Sequence, residues 1–124
     1  MMTIPIDNYG REVELKYEGE TYLVRDNGAV YRKHKPGHHA NSLDETWTFG
    51  IPNEQDGYMC IASAKVHRIV AFAFLGTPPS RQHVVDHINR IKTDNRIENL
   101  RWITNLDNLL RHPGVRKRII NAYG

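Results

Sequence analysis

The sequence predicts a small α+β domain, and three observations carry that reading. The first half alternates polar and apolar residues at the two-residue strand period. A stretch near the middle changes to the helical period. The last third runs strand, polar loop, strand, helix. A length of 124 residues suits one domain. We divide it into a β-rich scaffold and binding region with a buried helix over residues 1–76, and a second unit with a basic tail over residues 77–124.

Each element has a local cause. "EVELKY" (12–17) alternates as a half-buried strand does. "TYLVRDNGAVYR" (21–32) places two apolar runs around Asp26-Asn27-Gly28, and Asn-Gly supplies the positive φ angles of a hairpin turn. "KHKPGHHANS" (33–42) reads as a surface loop, its His34, His38 and His39 included. "TWTFGI" (46–51) and "YMCIAS" (58–63) are predicted strands flanking the turn "NEQDG". In "KVHRIVAFAFLG" the residues Val66, Ile69, Val70, Ala73 and Phe74 share one helix face, and Ala71, Phe72 and Leu75 widen it. "GTPPS" (76–80) ends that helix, because proline cannot continue one. Strands over 83–88 and 100–104 then flank the polar loop "NRIKTDNRIEN". Thr104 is placed to N-cap a last helix, "NLDNLLRH", with Asp107 three residues on.

Composition removes several function classes. Hydrophobic residues at 40% and charged residues at 25% lie in the globular range, which argues against wholesale disorder. No apolar run approaches the roughly 18 residues of a membrane span. The start "MMTIPIDNYG" lacks the basic and apolar regions of a secretory signal. The single Cys60 allows no internal disulfide and no CxxC zinc pair, which fits a reducing, cytoplasmic setting. A net charge of +3 is mild, but "RHPGVRKRIINAYG" carries Arg111, Arg116, Lys117 and Arg118 with no acid, which suggests a polyanionic partner.

The chemistry gathers around "VVDHIN" (84–89). Side chains alternate across a strand, so Asp86 and His87 face opposite ways and take different tasks. Asn108 and His112 are spaced i, i+4 and share a helix face. With the strands folded against that helix, Asp86, Asn108 and, as an optional further ligand, His112 converge on one divalent cation. Oxygen ligands favour Mg²⁺ or Mn²⁺, and an added imidazole widens the choice to Ni²⁺ or Zn²⁺. His87, on the other face, suits a general base. Asn99 is a candidate for orienting it, through its side chain or its backbone carbonyl. Asp94-Asn95 is good turn material, so Asn95 reads as a turn residue. His67 reads as packing or capping, and Trp102 as core.

Together these residues carry a family resemblance. "VVDHINRIKTDNRIENLRWITNLDNLLRH" resembles the ββα-metal (His-Me finger) nuclease motif of HNH endonucleases, in the phage- and homing-type branch. "VHRIVAFAFLG" and "YLVRDNGAVYR" resemble the helix and hairpin that precede the motif there. The resemblance covers about residues 20 to 112, with Asn108 where many relatives have the third histidine, a His-Asn-Asn variant. It implies His87 as general base, Asp86 and Asn108 as metal ligands, Asn99 in the middle-asparagine role and His112 as a lower-ranked ligand. It implies hydrolysis of phosphodiester bonds in double-stranded DNA with one divalent cation. Arg68, Arg90, Lys92, Arg96, Arg101, Arg116, Lys117 and Arg118 are the expected backbone contacts. One site nicks one strand, and a double-strand break needs a homodimer or two events. The rival reading is a nucleic-acid-binding module that keeps this fold without cleaving, and an RNA nuclease ranks below it. No membrane partner is expected.

Overall fold

The computed structural model describes residues 5–111. Its first sheet is antiparallel, in the order β1 (Glu12–Tyr17), β2 (Glu20–Arg25), β3 (Val30–Arg32) and β4 (Trp47–Thr48). The β1–β2 hairpin closes on Glu18 and Gly19, both at positive φ (49° and 81°), as a two-residue turn matched to strand twist requires. The β2–β3 turn is the predicted Asp26-Asn27-Gly28, held by Arg25 N donating to Ala29 O at 2.9 Å.

A second sheet holds β5 (Ile51–Pro52), β6 (Met59–Ile61) and β7 (Ala64–Lys65). Here the structure corrects the sequence reading. "TWTFGI" is two strands in two different sheets, β4 and β5, rather than one. Gly50 makes the break: its φ is +96°, and a Cβ there would lie 2.8 Å from the Cys60 carbonyl oxygen. "YMCIAS" likewise ends early, because Ala62 turns at φ 51° into β7.

Helix α1 (Val66–Leu75) follows as its periodicity predicts, burying Val66, His67, Ile69, Val70 and Ala71 and leaving Arg68 exposed. A two-stranded antiparallel hairpin of β8 (His83–His87) and β9 (Leu100–Thr104) comes next, with a 3₁₀ turn at Ile97–Asn99 before β9. The last described helix is α2 (Asn105–Leu110), N-capped as expected: Asp107 N donates to Thr104 Oγ1 at 3.1 Å.

The buried cluster comprises Tyr22, Val24 and Val30 from the first sheet, Ile61, then Val66, Ile69 and Val70 from α1, and Leu100 from β9. One core therefore draws on both sides of residue 76. Trp102 is half-buried, edge-on to Phe72 at 5.4 Å. Packing of β9 and the 3₁₀ turn against α1 fixes where the β8–β9 hairpin sits, and with it the residues of "VVDHIN".

Candidate active site

The ladder of β8 with β9 sets Asp86 opposite Arg101 and His87 opposite Leu100. Alternation then separates the two polar residues as the sequence predicts. Both are buried, Asp86 at 7% exposure and His87 at 5%, so each needs a compensating partner. Asp86 Oδ2 accepts from Arg101 Nε at 2.9 Å and from the Arg111 guanidinium. Arg111 is itself held by donating to Ile88 O at 3.0 Å. The His87 ring lies on the other side, 5.9 Å from the stacked Tyr58 ring and 5.1 Å from the tilted His67 ring.

One cavity reaches both residues. It is lined by Asp86, His87 and Asn108, by Tyr58 and Val85, and by the cations Arg90, Lys92 and Arg111. Three cations against one carboxylate give a surface suited to phosphate. Lys92 is anchored there, its Nζ donating to Asp56 O at 2.7 Å and lying 4.8 Å from the Tyr58 ring centroid.

His87 is oriented by a residue the sequence reading assigned elsewhere. Its Nε2 lies 2.6 Å from Asn95 Oδ1, while the ring's Nδ1 has no hydrogen-bond partner among the described residues. Asn99, the expected orienting residue, makes no hydrogen bond to the ring among the described residues. Its Oδ1 accepts from Asn89 N at 2.9 Å, and its Nδ2 donates to Asn89 Oδ1 at 2.9 Å and Asp94 O at 2.8 Å. Its backbone carbonyl accepts from Ile88 N at 2.8 Å. Asn99 thus staples the two ends of the 88–99 loop, and Asn95 within that loop meets the His87 ring. The reason is position: Asn99 ends the 3₁₀ turn one residue before β9, whose first residue, Leu100, pairs with His87, and from there its side chain bonds to the loop.

Of the other predicted site residues, Asn108, Arg90 and Lys92 line the cavity, and Arg68 is exposed on α1. Arg96 is spent within the loop, pairing with Asp94 through Nε at 2.8 Å and with Glu98 at 3.2 Å. That hydrogen bond holds the Asp94 carboxyl below its ordinary value. Arg101 is spent in part on Asp86. His112, Arg116, Lys117 and Arg118 lie outside the described residues. The sequence reading missed Asn95 and Tyr58, and it placed Arg111 in a basic tail rather than on Asp86. Asn95 was open to discovery only through the long-range contact of its loop, which no local pattern displays.

His67 packs as expected, 4.7 Å from Tyr58 in a stacked arrangement. Burial, reinforced by neighbouring His87 and Arg68, pushes its pKa down from 6.5 to about 3. His67 is therefore neutral in the folded chain, whereas the unfolded chain takes up a proton there below about pH 6.5. Its contribution to stability is full above about pH 6.5 and declines as pH falls toward about 3. Urea unfolding at pH 7.5 and 5.5 should show a loss at the lower pH that His67→Phe reduces. Equal losses in both proteins would exclude His67 as the cause. The lowered carboxylates Asp44, Asp56 and Asp94 respond at lower pH, outside that window.

The residues present fit a divalent cation. Asp86 Oδ1 accepts no hydrogen bond among the described residues, so one oxygen of a buried carboxylate remains available in the cavity that Asn108 also lines. No group of three His, Cys, Asp or Glu side chains able to hold an ion occurs among the described residues. A Mg²⁺-type ion does not require one, since it commonly takes one or two protein ligands and completes its shell with substrate phosphate and water.

Residues 64–110 match the family model described as HNH endonuclease. These residues belong to the HNH endonuclease family. The HNH segment begins at β7 and takes in α1, the β8–β9 hairpin and α2. Two uncharacterized HNH endonucleases of Acanthamoeba polyphaga mimivirus are similar to this chain. One is 48% identical over 46 residues, 36% of this chain and 12% of its own. The other is 26% identical over 106 residues, 79% of this chain and 29% of its own. The α+β architecture is similar to that of the HNH homing endonuclease I-HmuI, described in a structure of DNA binding and cleavage by that enzyme. The TM-score is 0.53 at 28% identity, covering 76% of this chain and 53% of that one. The chain therefore spans about half of the solved enzyme and less than a third of either viral relative. No helix among the described residues is long and apolar enough to cross a membrane.

Proposed function

We propose that this HNH chain is a metal-dependent DNA endonuclease that hydrolyses phosphodiester bonds. The observation that carries the reading is the arrangement around one cavity. A buried imidazole has one nitrogen held by Asn95 and the other without a partner among the described residues, and Asp86 and Asn108 line the same cavity. The family of residues 64–110 and the likeness to a DNA-cleaving homing endonuclease support it.

In this mechanism each side chain has a stated task. Arg90 and Lys92 receive the phosphate backbone at the cavity rim. Asp86 and Asn108 would hold the divalent cation, with His112 a further candidate. A cation held there would supply Lewis-acid stabilisation for the charge that develops on the phosphate and the leaving oxygen. His87 takes a proton from water at Nδ1 as the water oxygen attacks phosphorus. The bond from phosphorus to the 3′ oxygen breaks, and that oxygen is protonated from solvent. The products are 5′-phosphate and 3′-hydroxyl ends. Asn99 keeps the 88–99 loop closed around this site.

The test is supercoiled plasmid incubated with Mg²⁺ or Mn²⁺, and in parallel with EDTA. The expected result is nicked or linear DNA with either metal and intact plasmid with chelator. Salt-sensitive binding without any metal-dependent product from a folded protein would overturn the nuclease reading in favour of a binding module. One active site predicts nicks first, and linear product from the outset would point to a homodimer.

A further inference from the structure

We infer that Asn95, rather than the motif's Asn99, is the positioning residue that fixes the catalytic tautomer of His87. The inference rests on the reading of His87 as general base. An amide Oδ1 only accepts hydrogen bonds, so the ring nitrogen facing it at 2.6 Å must carry the proton. His87 is then the Nε2–H tautomer, and its lone pair sits on Nδ1, the nitrogen with no partner among the described residues. A general base needs that arrangement: proton on the anchored nitrogen, lone pair on the free one.

Asn95 is built to be rigid. It is 4% exposed. Its backbone is pressed against the β2–β3 turn, where a Cβ on Gly28 would fall 2.8 Å from Asn95 O and 2.9 Å from Asn95 C. Two residues on, Ile97 N donates to Asp26 O at 2.9 Å. The turn is anchored in its own right: Asp26 accepts from Gly10 N and Arg11 N, and Asn27 Nδ2 donates to Ile6 O at 3.0 Å and Asn8 O at 3.2 Å. The anchored turn thus gives Asn95 a fixed seat. Asn95 Nδ2 is buried without a partner among the described residues. The reverse orientation of the amide would leave Oδ1 in that place and turn Nδ2–H toward the ring, which would put the proton on Nδ1 and block the base. The two orientations therefore predict opposite tautomers.

The decisive measurement is the ¹⁵N spectrum of the His87 ring in the full chain at pH 8, with His87→Ala used to assign the signals. The expected result is a protonated-type Nε2 and an unprotonated-type Nδ1. Asn95→Ala should mix the tautomers, and Asn95→Asp, which keeps an acceptor at that place, should restore the Nε2–H form. In cleavage assays Asn95→Ala should lower kcat by about 10²–10⁴-fold, the scale on which a wrongly presented tautomer slows a histidine base, with KM for DNA little changed. A wild-type Nδ1–H tautomer would overturn the inference. So would an Asn95→Ala protein with an unchanged ring spectrum. Failure of the chain to cleave DNA would count against the nuclease reading alone, because the ring spectrum needs no substrate.

Discussion

His87→Ala is expected to slow DNA cleavage by about 10²–10⁴-fold, the usual contribution of a positioned general base. DNA binding should persist, because the cavity cations Arg90, Lys92 and Arg111 remain. The protein should also still fold, since His87 is not part of the hydrophobic cluster that forms the core. Its removal does strand the Asn95 amide, whose Oδ1 loses its hydrogen bond while its Nδ2 already lacks one. A buried polar group left without a partner costs about 1–3 kcal/mol, so a lowered melting temperature should accompany the loss of activity. Single-turnover cleavage, binding by fluorescence anisotropy and thermal melting separate these effects. Wild-type cleavage by His87→Ala would remove His87 from the role of base.

Asp86→Ala is expected to fail differently, through the cation and the fold together. Asp86 is the sole carboxylate lining the cavity among the described residues, so cation affinity in the presence of an uncleavable DNA should fall sharply, as calorimetry with Mn²⁺ would register. Its Oδ2 also balances two guanidiniums. Breaking a fully buried pair costs about 3–5 kcal/mol by stranding the remaining charge. Here the Arg101 and Arg111 side chains are 46% and 24% exposed and can turn to water, so about 1–3 kcal/mol is the appropriate scale. Raising Mn²⁺ should recover part of the activity of Asp86→Ala and none of that of His87→Ala. Equal recovery of both would mean that the two residues do not divide the work as proposed.

The sequence displays what is decided locally. The period change that marks α1, the Asn-Gly turn between β2 and β3 and the Thr104 cap each depend on a few neighbouring residues, and each is found where its pattern places it. The opposed placement of Asp86 and His87 follows from strand alternation alone. What the sequence hides is decided at long range. "TWTFGI" reads as continuous because nothing local announces that Gly50 must clear the Cys60 carbonyl. Asn95 and Asn99 have the same side chain and lie in the same polar stretch. Only the packing of their loop against a turn far earlier in the chain sends one to the imidazole and the other to Asn89 and Asp94. Arg111 is in the same position: it reads as part of a basic tail, yet it reaches back to Asp86 at the far end of the hairpin.

The contact between Gly28 and Asn95 also bears on the order of assembly. Closing a long stretch of chain costs entropy before the contact it permits gives anything back, so such contacts tend to form late in folding. Helix α1 and the β8–β9 hairpin are local and can form early. A chain that has reached that stage holds His87 on its strand but has not yet docked the loop that carries Asn95. Nuclease competence would then arise last, when the ends of the core close, and a partly folded chain would already present basic residues to DNA while its base is still free to turn.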